Sequence, residues 1–157
     1  MTLRIYDIDL ITFAIRPKTI GFETEIIFIN EKHKHQFPVN LELTNEGVRK
    51  WLGSRSIPQN RSFVKEILQS LGLKPNDLLG ILRVCKGLSL NDSYWIVPEG
   101  FDGKFSDYNL YENSFSEELA LVAYTGHSTI TQTPCLSPEL TTDGMLPKAW
   151  RKLPDGI

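Results

Sequence analysis

Apolar residues change their spacing along this chain, and each change predicts a different kind of element. Over residues 3–15 (LRIYDIDLITFAI) and 24–29 (TEIIFI), β-branched and aromatic residues dominate, with polar ones between them, as in half-buried strands. A polar run over residues 30–35 then leads into Phe37-Pro38-Val39-Asn40-Leu41. That reads as a hairpin or meander whose last strand lies at an edge, because Pro38 has no N–H for a central ladder. From there the period lengthens. Thr44 or Asn45 stands where an N-cap belongs, ahead of Val48, Trp51 and Leu52, and Gly53 and Pro58 end this short helix. Phe63, Val64, Ile67, Leu68 and Leu71 form one helical face, with Asn60 read as its N-cap and Gly72 as its stop.

Residues 77–85 (DLLGILRVC) predict a further short helix, and 94–97 (YWIV) a strand stopped by Pro98. Residues 99–113 read as a loop with aromatics in acidic surroundings. Ser114 and Glu117 have capping-box spacing for a helix through Leu119, Ala120, Val122 and Ala123. Residues 125–143, rich in Thr, Ser and Pro, read as a loop or linker. Residues 149–153 alternate like a strand, and Pro154-Asp155-Gly156 is a turn signal before the single residue Ile157. The predicted fold is α+β: a small mixed sheet with a hairpin or meander at its start, packed by several short helices. The predicted division is a domain over 1–124 and, over 125–157, a linker and the first strand of something unfinished.

Composition changes this picture little. A chain of 157 residues can bury roughly two-thirds of its unfolded surface without disulfide or metal staples. A formal charge of −2 leaves no basic footprint for nucleic acid. The apolar runs fall short of a membrane span, and Asp7 and Asp9 sit where a signal peptide is apolar. Cys85 and Cys135 read as two reduced thiols, which sets the expectation of a cytoplasmic protein.

Candidate chemistry is sparse. His33 and His35 have no third ligand nearby in sequence, so they read as a solvated tip and not a metal site. His127 could serve a Ser-His-Asp triad, but no Gly-x-Ser-x-Gly elbow accompanies it. No catalytic residue is therefore assigned. The aromatics Phe101, Phe105, Tyr108, Tyr111 and Phe115 suit either the protein's own core or a partner surface. In residues 140–149 (LTTDGMLPKA), Gly144 would let backbone approach a phosphate, Lys148 offers positive charge, and Thr141 or Thr142 offers a phosphoryl acceptor. Taken on chemistry alone, one glycine makes this a surface turn.

The order of segments alters that weighting. PVNLEL (38–43), VRKWLGSRSIPQNRSFVKEIL (48–68), PNDLLGILRVCKGLSL (75–90) and SPELTTDGMLPKAW (137–150) resemble, in sequence, the N-terminal part of HipA-like serine/threonine kinases, the toxin kinases of bacterial toxin–antitoxin pairs. The resemblance spans nearly the whole chain, and its last piece resembles the family's Gly-rich loop. It implies that Asp143, Gly144, Pro147 and Lys148 form a loop over ATP phosphates, and that Thr141 or Thr142 is the autophosphorylation site. It implies ATP and Mg²⁺ for a complete kinase. The family's ATP-binding lysine and its catalytic and metal-binding aspartates have no counterpart in the chain, and Ile157 would open the strand that carries that lysine. The implied function is a regulatory portion without catalysis of its own, or a stand-alone antitoxin-like subunit that docks on a separately encoded kinase. Its implied partners are a kinase core, in the same or another chain, and a DNA-binding antitoxin. Candidate docking anchors are Trp51, Trp95, Phe101, Phe105 and Tyr108.

Overall fold

The computed structural model describes residues 1–75, 77–127 and 136–154. Four strands form one antiparallel sheet: β1 (Thr2–Ile5), β2 (Ile8–Pro17), β3 (Phe22–Ile29) and β4 (Tyr94–Val97), in the order β3-β2-β1-β4. The β-rich residues 3–15 thus hold two strands. Tyr6 and Asp7 make the turn between them, with Tyr6 at φ +49°, a conformation uncommon for a side-chain-bearing residue. Long-range bonds hold it there. The Tyr6 N–H donates to Ser93 O at 3.2 Å, and the Trp95 indole N–H donates to Tyr6 O at 2.6 Å.

The expected strand over 37–41 does not form. Residues 31–36 make a 3₁₀ turn instead, and no ladder follows. The edge such a strand would use is partly occupied. Ile26 N–H donates to Asn45 Oδ1 at 2.8 Å, and the Thr24 hydroxyl donates to Asn45 O. A bulge at Ile27, where Phe13 pairs with Ile26 and Thr12 with Phe28, further spoils the edge for pairing.

Among the described residues, four α-helices cover the sheet and each other: α1 (Asn45–Ser54), α2 (Val64–Ser70), α3 (Leu78–Cys85) and α4 (Glu117–Thr125). Thr44 caps α1 by accepting from Gly47 N–H at 2.9 Å, and Asp77 caps α3 by accepting from Gly80 N–H. Two expected caps are corrected. Ser116, not Ser114, caps α4, because a side chain at the N-cap reaches the N–H three residues on, here Leu119 at 3.1 Å. Asn60 does not cap α2. Residues 58–61 form a turn closed by Arg61 N–H on Pro58 O, and Phe63 at φ +60° opens the helix.

Among the described residues, the buried apolar side chains form three clusters. Leu3, Leu10, Ile11, Phe13 and Ile96 of the sheet meet Val48, Trp51 and Leu52 of α1. Ile67 and Leu68 of α2, Ile81 of α3 and Leu119, Val122 and Ala123 of α4 form a second, which Leu140 completes. Trp95 and Val97 form a third with Leu88, Phe105, Leu110 and Phe115. No helix among the described residues is long and apolar enough to cross a membrane.

Candidate functional site

Residues 137–150 fold as a loop held from below by one arginine. Pro138–Leu140 form a 3₁₀ turn whose Leu140 is fully buried. Arg61, only 2% exposed, reaches up from the turn before α2. Its Nη1 donates to Glu139 O at 2.7 Å and to Thr142 O at 3.4 Å, and its Nη2 donates to Lys148 O at 2.9 Å. The adjacent Ser62 N–H donates to Met145 O at 2.7 Å. A guanidinium suits this task because its donors form a planar fork that no lysine reproduces. Burial lowers the Arg61 pKa, and the charge of Glu139 opposes that shift. Glu139 is itself fully buried. Its carboxylate accepts from the Ser137 hydroxyl and, at 2.6 Å, from Trp150 N–H. A buried cation and a buried carboxylate thus share one frame, both hydrogen-bonded, although the Arg61 Nε–H has no partner there.

The candidate acceptors sit inside this frame. Thr142 Oγ1 donates to Pro138 O and accepts from the Trp150 indole N–H at 3.0 Å. Thr141 is half-buried, its hydroxyl on the same carbonyl at 3.4 Å. Thr141, Thr142 and Asp143 line a polar cavity of about 160 Å³ with Ser54, Arg55 and Asp92. Arg55 is buried and fully engaged, with both terminal nitrogens on Asp92 and its Nε on Gly87 O.

Asp143, Gly144 and Pro147 are exposed at the loop's tip, with Lys148 half-exposed beside them. Gly144 has φ +100°, which glycine alone adopts readily. The Lys148 ammonium folds back to donate to Asp143 O and covers Gly144 so closely that a Cβ there would stand 2.5 Å from Nζ. The side of the glycine where a phosphate would approach is thus filled by the loop's own cation. The cavity beneath, about 160 Å³, is smaller than the roughly 300 Å³ at which small-molecule pockets begin, while larger open clefts of about 480 and 510 Å³ flank the loop at Asp143 and at Pro147 and Lys148. No cluster of three His, Cys, Asp or Glu suited to a metal occurs among the described residues. With Lys148 on Asp143 O, the loop as it stands holds no open cradle for a phosphate at Gly144.

The alternating run at 149–153 is not a strand. Only Leu153 makes an isolated bridge. Trp150 N–H goes to the Glu139 carboxylate, and the Lys152 ammonium to Asn113 O at 2.6 Å, so this stretch is tied by side chains and not by a ladder. Residues 155–157, on which the turn and the second strand were expected, lie outside the described residues, as do residues 128–135 of the linker expected over 125–143, Cys135 among them.

The aromatic candidates turn inward. Trp95 is fully buried, and Trp51 and Phe105 are buried. Phe101 and Tyr108 are half-buried, packed at 5.9 and 5.8 Å from the Trp95 ring, with the Lys86 ammonium over both. Phe115 is buried, whereas Tyr111 is 40% exposed, with its hydroxyl on Leu90 O and Asp92 O; the other exposed large apolar residues include Leu121, Tyr124, Leu146 and Leu153. His33 and His35 lie on the 3₁₀ turn at the sheet's end, and His127 is exposed. Arg61 and Glu139 escaped the sequence reading. Only the Ser137-Pro138-Glu139 triplet, a helix-start signal, pointed to local order there.

Cys85 is buried, and loss of solvation pushes its thiol pKa up to about 11. In a Cys135→Ser background, iodoacetamide at pH 8 should leave Cys85 unmodified until denaturant is added. The raised pKa also sets a sign. Its contribution to stability is intact below pH 9, where the unfolded thiol is neutral, and is lost as pH rises toward about 11. A denaturant midpoint unchanged by Cys85→Ala between pH 8 and 11, relative to the parent, would refute this.

No protein-family model matches the chain, and no curated protein or solved structure matches it.

Proposed function

We propose that this chain is a regulatory, N-terminal-type portion of a HipA-like serine/threonine kinase of a bacterial toxin–antitoxin system, without catalysis of its own. The observation that supports the reading is the construction of residues 137–150. A threonine-bearing loop with a left-handed glycine at its tip is strapped to the body through backbone carbonyls, so its conformation is set by Arg61 and Ser62. A loop held this way presents Thr141 and Thr142 in one place and is displaceable as a unit. A phosphate on Thr142 would break both hydrogen bonds of its hydroxyl, to Pro138 O and from Trp150. The ATP and Mg²⁺ that such a reaction needs, with its base, belong to a kinase core in the same or a separate chain. If the core is a separate chain, the protein acts as a docking subunit.

The test supplies the missing parts. The chain is mixed with MgATP and the catalytic core of a HipA-like kinase, and phosphopeptides are mapped. Label on Thr141 or Thr142, absent in the Thr141→Ala/Thr142→Ala variant and absent without the core, supports the reading. Absence of both the label and co-purification with the core would overturn it.

A further inference from the structure

Two adjacent hydroxyls compete for one acceptor, and one of them is left over. A carbonyl oxygen offers two lone pairs. At Pro138 O, the Thr141 backbone N–H takes one at 3.0 Å and the Thr142 hydroxyl takes the other at 2.5 Å. The Thr141 hydroxyl stands 3.4 Å from that same oxygen, beyond the roughly 2.5–3.0 Å of an ordinary O–H···O bond. It has no other hydrogen bond among the described residues. Thr142 is also held from a second side, where its oxygen accepts the Trp150 indole N–H at 3.0 Å. Trp150 is fixed in turn, because its backbone N–H donates to the fully buried Glu139 carboxylate at 2.6 Å. Both threonines are half-buried, and both line the cavity shared with Arg55 and Asp92. Depth therefore does not separate them, but hydrogen bonding does.

Phosphoryl transfer asks two things of a hydroxyl. Its oxygen must offer a lone pair to the γ-phosphorus of ATP, and its proton must pass to a base of the kinase core as the bond to the β-phosphate oxygen breaks and ADP leaves. The Thr142 proton is committed to Pro138 O, and one of its lone pairs is committed to Trp150. Both bonds must open before Thr142 can react, whereas Thr141 can react with the loop in place. We propose that Trp150 is a positioning residue that locks Thr142 and leaves Thr141 as the phosphoryl acceptor, so that Thr142 reacts only once the Trp150 latch has opened. The selection rests on the kinase reading, while the latch itself is a property of this chain alone.

The latch is read first in the whole chain without a kinase, by ¹H–¹⁵N NMR of the indole N–H groups. Loss of one peak in Trp150→Phe identifies the Trp150 signal. Thr142→Val should shift that peak and speed its exchange with water, and Thr141→Val should leave both as they are. The chain is then mixed with MgATP and the catalytic core of a HipA-like kinase, and phosphopeptides are timed. Thr141 should be labelled first, faster than Thr142 by roughly tenfold or more, the factor that two hydrogen bonds represent. Trp150→Phe keeps the ring's apolar body and the backbone N–H on Glu139, so the melt should stay in place while the Thr142 share rises several-fold. A Trp150 indole peak that Thr142→Val leaves unmoved overturns the latch, whatever the kinase does. Thr142 labelled first or at the same rate, or a ratio that Trp150→Phe leaves unchanged, overturns the selection and leaves the kinase reading standing. Label on no residue of the chain, with the indole result as expected, overturns the kinase reading and the selection with it.

Discussion

Replacing Arg61 by alanine is expected to release residues 141–152 from the body of the protein under native conditions. Three backbone carbonyls lose their donor at once, those of Glu139, Thr142 and Lys148. Each such group left buried costs about 1–3 kcal/mol, so the cheaper outcome is for the loop to lift away and hydrate. Glu139 would meanwhile remain fully buried without the cation beside it. The net loss should be about 2–4 kcal/mol of stability, less than three orphaned carbonyls would cost because the loop escapes into water. Limited trypsinolysis reads the release directly. Cleavage after Lys148, Arg151 and Lys152 should be many-fold faster than in the parent, at temperatures well below the melt. Arg61→Lys should behave more like the alanine variant than like the parent, since an ammonium cannot span the carbonyls of residues 139 and 148 together. A tryptic pattern identical to the parent's in both variants would refute the clamp.

Trp95→Ala should have a still larger effect on global stability. The indole is fully buried at the crossing of the sheet and the 101–115 segment. Phe101, Phe105 and Tyr108 all pack within 6 Å of it, and Arg4 lies over its face at 5.9 Å. Its N–H also secures the strained carbonyl turn at Tyr6. Truncating a buried aromatic of this size costs about 3–5 kcal/mol, from lost transfer energy and the cavity left behind. At roughly 2–4 °C per kcal/mol for a chain of this length, the melting point should fall by on the order of 10 °C. Trp95→Phe, which keeps the packing but loses the hydrogen bond, should recover more than half of the loss. If Trp95→Ala melts within two degrees of the parent, the indole is not the keystone its burial implies.

What could be read from the sequence, and what could not, follows the range of the forces involved. Strands β1 to β4 and helices α1 and α3 are written locally, in side-chain period and in caps such as Thr44 and Asp77. The α+β class was legible for that reason. Ser114 was mistaken for Ser116 because two hydroxyls lie within one turn of the same helix, and only the geometry of the Leu119 N–H separates them. The strand expected at 37–41 failed on a distant competitor, the Asn45 side chain at the β3 edge. The candidate loop was legible as a turn around Gly144, but its fastening was not. Arg61 and Glu139 look like ordinary surface charges in sequence, and their burial arises from contacts made 78 residues apart. The aromatics at 101–108 were equally open to core and surface readings, and the fold turns them toward Trp95.

The sheet's connectivity carries a kinetic consequence. β1, β2 and β3 are joined by short turns, and their pairing closes small loops. β4 joins the same sheet only after a long excursion, so that Trp95 meets Tyr6 across 89 residues. Closing so long a loop is entropically slow relative to forming a hairpin, and contacts of this kind lower folding rates. The meander should therefore form in the early phase of refolding, with β4 insertion as the late event. The buried environment of Trp95 would then appear last, which makes its fluorescence in a Trp51→Phe/Trp150→Phe background a clock for the completion of the fold.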